Sequence, residues 1–230
     1  MVQKIIVTGA NGGLGTAITQ KLLNEGYEIH GTIIPGSENL DDIRATFENN
    51  EKLNLTKLDV LNEGEVQDFL YSLDDVYGAV LTVGGFMMKP LQKTTENDLD
   101  KMINLNFKTA FYFARNLVDH FKERKKGRIF FISSKPGLEK GGKALTSYSL
   151  SKNMLVKLGE IMNEALQGTE ASATVIAPDL IDTAANRQAM PDSDHDKWIR
   201  PEEIAEAISF YLSEKAERIR EPIVKLYGSY

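Results

Sequence analysis

The chain of 230 residues has no cysteine, which excludes disulfide staples, thiolate nucleophiles and cysteine-held metals and fits a reducing compartment. Histidine is scarce as well: His30, His120 and His195 are scattered and show no metal-ligand spacing. No apolar run reaches the ~18–20 residues needed to span a bilayer. A strand-like segment begins almost at the first residue and leaves no room for a signal peptide, so a cytoplasmic location is expected. There is no excess of positive charge, since the net charge is −6, and this argues against a nucleic-acid surface. The one basic cluster, Lys122 to Arg128 (KERKKGR), falls where a long helix should end, and cations there complement the helix dipole. What is present is an ordinary globular composition, 42% hydrophobic and 26% charged, on a chain that suits one α/β domain with a substantial core. The expected partner is a small molecule, with neither nucleic acid nor membrane involved.

Strand-like and helix-like segments alternate from end to end. KIIVTG, from Lys4, is a short β-branched run ending in glycine. Gly12 to Glu25 carries Leu14, Ala17, Ile18 and Leu22 at helical spacing and stops before Gly26. YEIHGTII forms strand two and ends at the Pro35-Gly36 turn signal. Leu40–Glu48 reads as a helix, Leu53–Leu58 as strand three, Glu63–Ser72 as a short helix and Val76–Val83 as strand four. The longest periodic segment runs from Thr95 to about Lys125. It opens with a capping-box-like Thr95-Glu96-Asn97-Asp98 and lines one face with Leu99, Met102, Ile103, Asn106, Ala110, Phe113, Leu117 and Phe121. Strands at Arg128–Ser133, Ala173–Ala177 and Pro222–Tyr227, with helices at Ser147–Ala165 and from Arg200-Pro201, complete the pattern. The alternation implies parallel crossovers in a doubly wound, Rossmann-like, mostly parallel seven-stranded sheet with helices on both faces, in a single domain over residues 1–230. The stretch from Pro178 to Ile199 is the only long irregular one. It holds Asp192, Asp194 and Asp196 around His195, a set that reads as a solvated loop, and no metal is expected.

Strand one ends in TGANGGLG, Thr8 to Gly15, and runs directly into a helix. Glycines at 9, 13 and 15 allow a tight turn, close backbone approach to a pyrophosphate and close helix–strand packing. Phosphates would sit at the positive helix N-terminus, beside Gly9, Asn11, Gly13, Leu14 and Gly15. An Asn11-Gly12 hairpin turn is the alternative, and it fails because the next segment has helical rather than alternating periodicity.

Tyr148 and Lys152, in SYSLSK, stand at i and i+4 and share one helix face. A tyrosine of pKa ~10 is a poor base at neutral pH, and a fixed positive charge within ~4–6 Å favours its phenolate. Lowering the pKa by ~3 takes roughly 4 kcal/mol of differential interaction and would yield a tyrosine that exchanges protons near pH 7.

With the glycine pattern T-G-x-x-x-G-x-G, the chain resembles a short-chain dehydrogenase/reductase over essentially its whole length. In that family the active site combines a serine, a tyrosine and a lysine with an asparagine from the long helix. Ile132-Ser133-Ser134-Lys135-Pro136-Gly137 matches the end of strand five and assigns the serine to Ser134. A one-residue insertion is needed to fit the usual serine–tyrosine spacing. MINLNF assigns the asparagine, with a water-relay role, to Asn104. Asp59-Val60 resembles the adenine contact. Thr82-Val83-Gly84-Gly85 stands where the family has NNAG, keeping the glycine and losing both asparagines, with Gly84 expected at the cofactor. Pro178-Asp179-Leu180-Ile181-Asp182-Thr183 resembles PGxxxT, with Asp179 where glycine is common and Thr183 expected at the nicotinamide amide. Lys152 would bind the nicotinamide ribose as well as tune Tyr148.

Gly84-Gly85-Phe86, the PDLIDT variant and the run Asn186–Pro191 through Trp198 are similar to the dihydropteridine reductase branch. That branch typically lacks the serine, which is present here, and Phe86 and Trp198 are candidates to flank a flat substrate. Strand two ends in Ile33, Ile34 and Pro35, with neither the acid that binds a ribose hydroxyl nor the arginine that accepts a 2′-phosphate, so NAD and NADP are equally open. The resemblance implies hydride transfer between a nicotinamide cofactor and a carbonyl/alcohol or pterin-like substrate, with Tyr148 as general acid/base. It also implies a loop at 180–199 that closes over substrate, and a homodimer or homotetramer formed through the long helices, where Phe111, Phe113 and Leu117 are candidates. The alternatives are a dinucleotide-sensing binding protein without catalysis and an extended-type nucleotide-sugar epimerase. An intact serine–tyrosine–lysine set disfavours the first, and the lack of a segment for a substrate domain disfavours the second.

Overall fold

The computed structural model describes residues 2–36 and 39–228. In chain order the elements are β1 (Lys4–Thr8), α1 (Gly13–Asn24), β2 (Glu28–Ile33), α2 (Leu40–Thr46), β3 (Leu53–Lys57), α3 (Glu63–Tyr71) and β4 (Val76–Leu81). There follow α4 (Glu96–Ile103), a π-helical turn (Asn104–Lys108), α5 (Thr109–Arg124), β5 (Arg128–Ile132), a short α6 (Lys135–Leu138) and α7 (Thr146–Ala165). The chain closes with β6 (Ser172–Pro178), α8 (Ala184–Ala189), α9 (Pro201–Leu212) and β7 (Ile223–Leu226). The seven strands form a sheet in the order β3-β2-β1-β4-β5-β6-β7, as the alternating pattern requires. No helix among the described residues is long and apolar enough to cross a membrane. The chain divides into two compact units.

The first unit contains β1 to β4, α1 to α3, α8 and α9. β1 is its spine: Ile5, Ile6 and Val7 are fully buried, and the strand runs parallel to β2 on one side and β4 on the other. β2 is in turn parallel to β3. Parallel pairing brings the carboxyl ends of these strands to one edge, where ligands bind in sheets of this type. α1 buries Leu14, Ile18 and Leu22, the stripe read from its spacing. Its exposed side carries Lys21, which reaches Glu206 of α9 at 2.6 Å and Glu25 at 3.0 Å. The segment expected to be irregular contains α8, because the Thr183 hydroxyl accepts from the Asn186 amide at 3.2 Å and caps a helical turn.

The second unit contains Val83–Asp179 and Arg220–Tyr227. β5 is buried along its whole length and pairs in parallel with β6, which pairs with β7. Phe113, Phe121, Phe130 and Phe131 fill this core, each gaining roughly 2–3 kcal/mol from burial. Arg128 differs from its expected place in a solvated basic cluster. It is 3% exposed, and its guanidinium donates to the carbonyls of Gly127 and Glu170, so the strand takes the residue inside. α5 ends where expected, at Lys125 in the left-handed conformation, φ 54°.

The expected unbroken helix from Thr95 to Lys125 is interrupted by the π turn. Thr95 and Asp98 do form the capping box. Farther along, the Thr109 amide reaches back five residues to the Asn104 carbonyl. The Thr109 hydroxyl takes the Leu105 carbonyl at 2.8 Å. Such single π turns cluster at functional sites, and this one carries the asparagine described next.

Candidate active site

In the first unit the glycine turn is tight. Gly9 has φ 64°, the Gly12 amide donates to the Gly9 carbonyl at 2.9 Å, and a Cβ on Gly15 would lie 1.9 Å from the Gly9 oxygen. Only glycine fits there. No side chain caps the N-terminus of α1, and its first turn holds no acid, so its amides and dipole are free to meet an anion. Leu14 buries its side chain and offers only its backbone. The methyl of Thr183 would stand 2.9 Å from a Cβ on Gly13, which brings the two expected cofactor residues together while the Thr183 hydroxyl is spent on its cap. Asp59 follows β3 with its carboxylate accepting from the Leu61 amide at 2.9 Å; Val60 beside it is buried. The loss of asparagine at Thr82 has a physical reason: its hydroxyl donates to the Thr8 carbonyl at 2.5 Å, and its amide donates to the Thr8 hydroxyl at 3.0 Å.

In the second unit α7 presents Tyr148 and Lys152 on one face, as the i,i+4 spacing requires. The lysine nitrogen lies 5.9 Å from the centroid of the tyrosine ring. Lys152 is 6% exposed and donates to the Ile132 carbonyl at 2.8 Å. Burial holds its pKa down, to about 8. Tyr148 departs from expectation. Burial raises its pKa above the ordinary value, the Ser134 hydroxyl opposes this in part, and Lys152 does not offset it. The reason lies in the geometry. The ammonium faces the end of β5 rather than the phenol, and its own charge is disfavoured where it sits.

The two serines at the end of β5 have different fates. The Ser133 hydroxyl donates to the Lys152 carbonyl at 2.8 Å and ties strand to helix. The Ser134 oxygen is buried, and the Tyr148 phenol is the group it acts on. Asp179, a departure from the family pattern, is joined to Lys135 by an ion pair of 2.7 Å. That pair accounts for a carboxylate where glycine is common.

The structure brings Asn106, rather than the expected Asn104, against Gly84, Gly85 and Ser151. Asn106 is fully buried. Its oxygen accepts from the Gly85 amide at 2.8 Å, and its amide donates to the Ser151 hydroxyl at 2.9 Å. Ser151 passes the connection on to the Tyr148 carbonyl at 2.8 Å. A Cβ on Gly84 would meet Asn106 Oδ1 at 2.6 Å and Lys152 Nζ at 3.0 Å, so a side chain there would displace the ends of both. Asn104, two residues earlier and therefore some 200° around the helix, is half-buried and only its backbone takes part in the π turn. The correct residue was legible in the sequence, since Asn106 sits on the buried apolar face.

The two candidate aromatics separate. Phe86 is 46% exposed and meets the Tyr148 ring edge to face, with centroids 5.0 Å apart. Trp198 is 8% exposed and packs on His195, so it is a core residue. The His195 ring is bonded to the Met190 carbonyl at 3.0 Å, and no metal-holding group of His, Cys, Asp or Glu occurs among the described residues.

Residues 3–194 match the short chain dehydrogenase family. The chain belongs to that family. Its members are NAD(P)-dependent oxidoreductases, and this short-chain dehydrogenase is one of them. It is 31% identical to an acetoacetyl-CoA reductase of a Synechocystis strain, covering 91% of this chain and 88% of that one. It is 27% identical to the 3-oxoacyl-(acyl-carrier-protein) reductase FabG of Aggregatibacter actinomycetemcomitans, covering 99% of each. Among solved structures, a closed serine dehydrogenase complexed with NADP+ superposes with TM-score 0.84 at 23% identity, covering 99% of this chain and 97% of that one. ElxO with NADP bound gives TM-score 0.87 at 19% identity, covering 98% and 97%. In this dehydrogenase the sequence reading missed Asn106, Ser151 and the pairing of Lys135 with Asp179.

Proposed function

We propose that this short-chain dehydrogenase reduces a carbonyl compound to an alcohol, with Tyr148 as general acid and Ser134 as hydrogen-bond donor to the substrate oxygen. One observation carries the reading: a buried serine hydroxyl, bonded to no structural group, stands beside a phenol on which it acts and whose proton is held on by burial. A bound nicotinamide supplies the hydride. The protein supplies the proton and an environment for the oxygen. A neutral phenol at pH 7 is the form a general acid requires, and the Ser134 hydroxyl aims a dipole at developing negative charge on oxygen. Lys152, whose ammonium is held by the Ile132 carbonyl, would bind the nicotinamide ribose hydroxyls. Asn106 fixes the first turn of α7 through Ser151 and is a positioning residue.

The glycine cradle and the uncapped α1 fit a pyrophosphate, with Gly9, Asn11, Gly13, Leu14 and Gly15 around it, Asp59 and Val60 toward the adenine, and Pro178 and Thr183 toward the nicotinamide. NADP is favoured by its presence in two proteins of the same fold. The segment 180–199 acts as a flap. Its ends are tied by the Asp182 amide to the Ile199 carbonyl and the Ile199 amide to the Leu180 carbonyl, each 2.8 Å, while most of α8 between them is exposed. Assembly through the long helices would use Phe111 and its stacked neighbour Phe107, because Phe113 and Leu117 are enclosed. A pterin loses support, since Trp198 is in the core and the serine that branch lacks is present and buried beside Tyr148. The test follows absorbance at the nicotinamide band with NADH and NADPH in parallel against aldehydes, ketones and quinonoid dihydropterin. Carbonyl-dependent oxidation, faster with NADPH, is expected. Turnover of the dihydropterin alone would replace the substrate assignment, and cofactor binding without any turnover would favour a sensor.

A further inference from the structure

Three large apolar residues, Phe86, Met87 and Met88, follow the glycine pair after β4. Met87 turns toward α7, where the Ser147 hydroxyl donates to its sulfur at 3.7 Å. Phe86 and Met88 point outward, 46% and 61% exposed. This outward exposure belongs to a fixed segment. At one end the Gly85 amide is held by Asn106. At the other, Lys89 reaches both oxygens of Asp98 at 2.8 and 2.7 Å. The Lys89 backbone pairs with Leu145 and its carbonyl accepts from the Thr146 amide at 3.1 Å. The Asp98 carboxylate is itself held by the Thr95 amide and hydroxyl, at 3.0 and 2.8 Å. An anchored rib that keeps two large apolar side chains in water gives up burial that other packing would have gained. It also brings the Phe86 ring against the ring of the proton donor.

We propose that Phe86 and Met88 form the apolar wall of the substrate site, so that this enzyme selects carbonyl compounds bearing an extended apolar chain or ring over small ones. The proposal rests on the carbonyl-reductase reading and names the substrate class within it. Because the rib is held at both ends before substrate arrives, it binds without first paying for ordering, which favours discrimination by apolar contact. Aldehydes of increasing length test it: acetaldehyde, butanal and octanal, followed by cofactor oxidation. Wild-type kcat/KM for octanal should exceed that for acetaldehyde by at least ~10-fold, the scale of apolar-pocket discrimination. In F86A that ratio should collapse by about 10-fold, mainly through KM, and F86L should restore most of it. A ratio unchanged in F86A, or no length dependence in the wild type, overturns the proposal. Calorimetric titration of the NADP+-loaded protein with octan-1-ol and ethanol separates the two layers. Preferential octanol binding that F86A loses, with no aldehyde turned over, would sink the reductase reading and keep the wall. Turnover without length discrimination, and equal binding of both alcohols, would do the reverse.

Discussion

Ser133 and Ser134 adjoin in sequence, yet one hydroxyl ties β5 to α7 and the other is buried against the Tyr148 phenol. Their alanine variants should therefore fail differently. S134A should lower kcat by roughly 10²–10³, as loss of a donor to a developing oxyanion does, with thermal stability changed little because only the contact with the Tyr148 phenol is lost. S133A should cost about 0.5–1.5 kcal/mol of stability by losing the bond to the Lys152 carbonyl, with a smaller effect on kcat. Unfolding curves and steady-state rates on the two variants check this. Lys152 is the reverse case, a residue kept at the expense of stability. Its pKa of about 8 in the folded protein, against 10.5, means that between those values the unfolded chain binds more protons. Stability contributed by this group therefore rises with pH across that window, and the cost of burying the charge is fully present below pH 8. The depression corresponds to roughly 3 kcal/mol, partly offset by the hydrogen bond to Ile132. K152M should accordingly abolish activity while raising the melting temperature at pH 7, and the gain should shrink toward pH 10. A melting temperature several degrees lower would contradict the burial argument.

At the scale of elements, the π turn converts a long helix into a mount for one side chain. N106A should destabilise the fold by about 2–3 kcal/mol, the range for breaking a buried hydrogen-bond network. It should also depress kcat through the first turn of α7. N104A should stay within about 0.5 kcal/mol of wild type; denaturant titration of both variants distinguishes them. The strands, the helices and the Thr95–Asp98 cap were legible because hydrophobic period and capping chemistry are local. The π turn was not, since one extra residue in a single turn leaves no period of its own. Asn106 was marked by its place on the apolar face, but the motif drew the assignment two residues away. Lys135 and Asp179 lie far apart in sequence, and nothing local announces that they pair.

Across the molecule, the unit with the glycine cradle and the unit with the serine, tyrosine and lysine were each readable from motif and spacing. The electrostatics were not. A Tyr–Lys spacing suggests a depressed phenol pKa, but burial decides the sign here and keeps the phenol neutral, with the ammonium turned to the end of β5. Trp198 likewise read as a substrate aromatic, whereas tertiary packing takes it into the core. The central claim is that Tyr148 delivers the proton in a nicotinamide-dependent carbonyl reduction. Its most direct test compares Y148F with wild type in two measurements on the same preparations, carbonyl-dependent NADPH oxidation and the Kd for NADPH. The expected result is a loss of turnover of at least ~10³-fold, within the ~10²–10⁴ that a general acid contributes, with Kd changed by less than about 3-fold. Turnover retained within about 10-fold of wild type would contradict it.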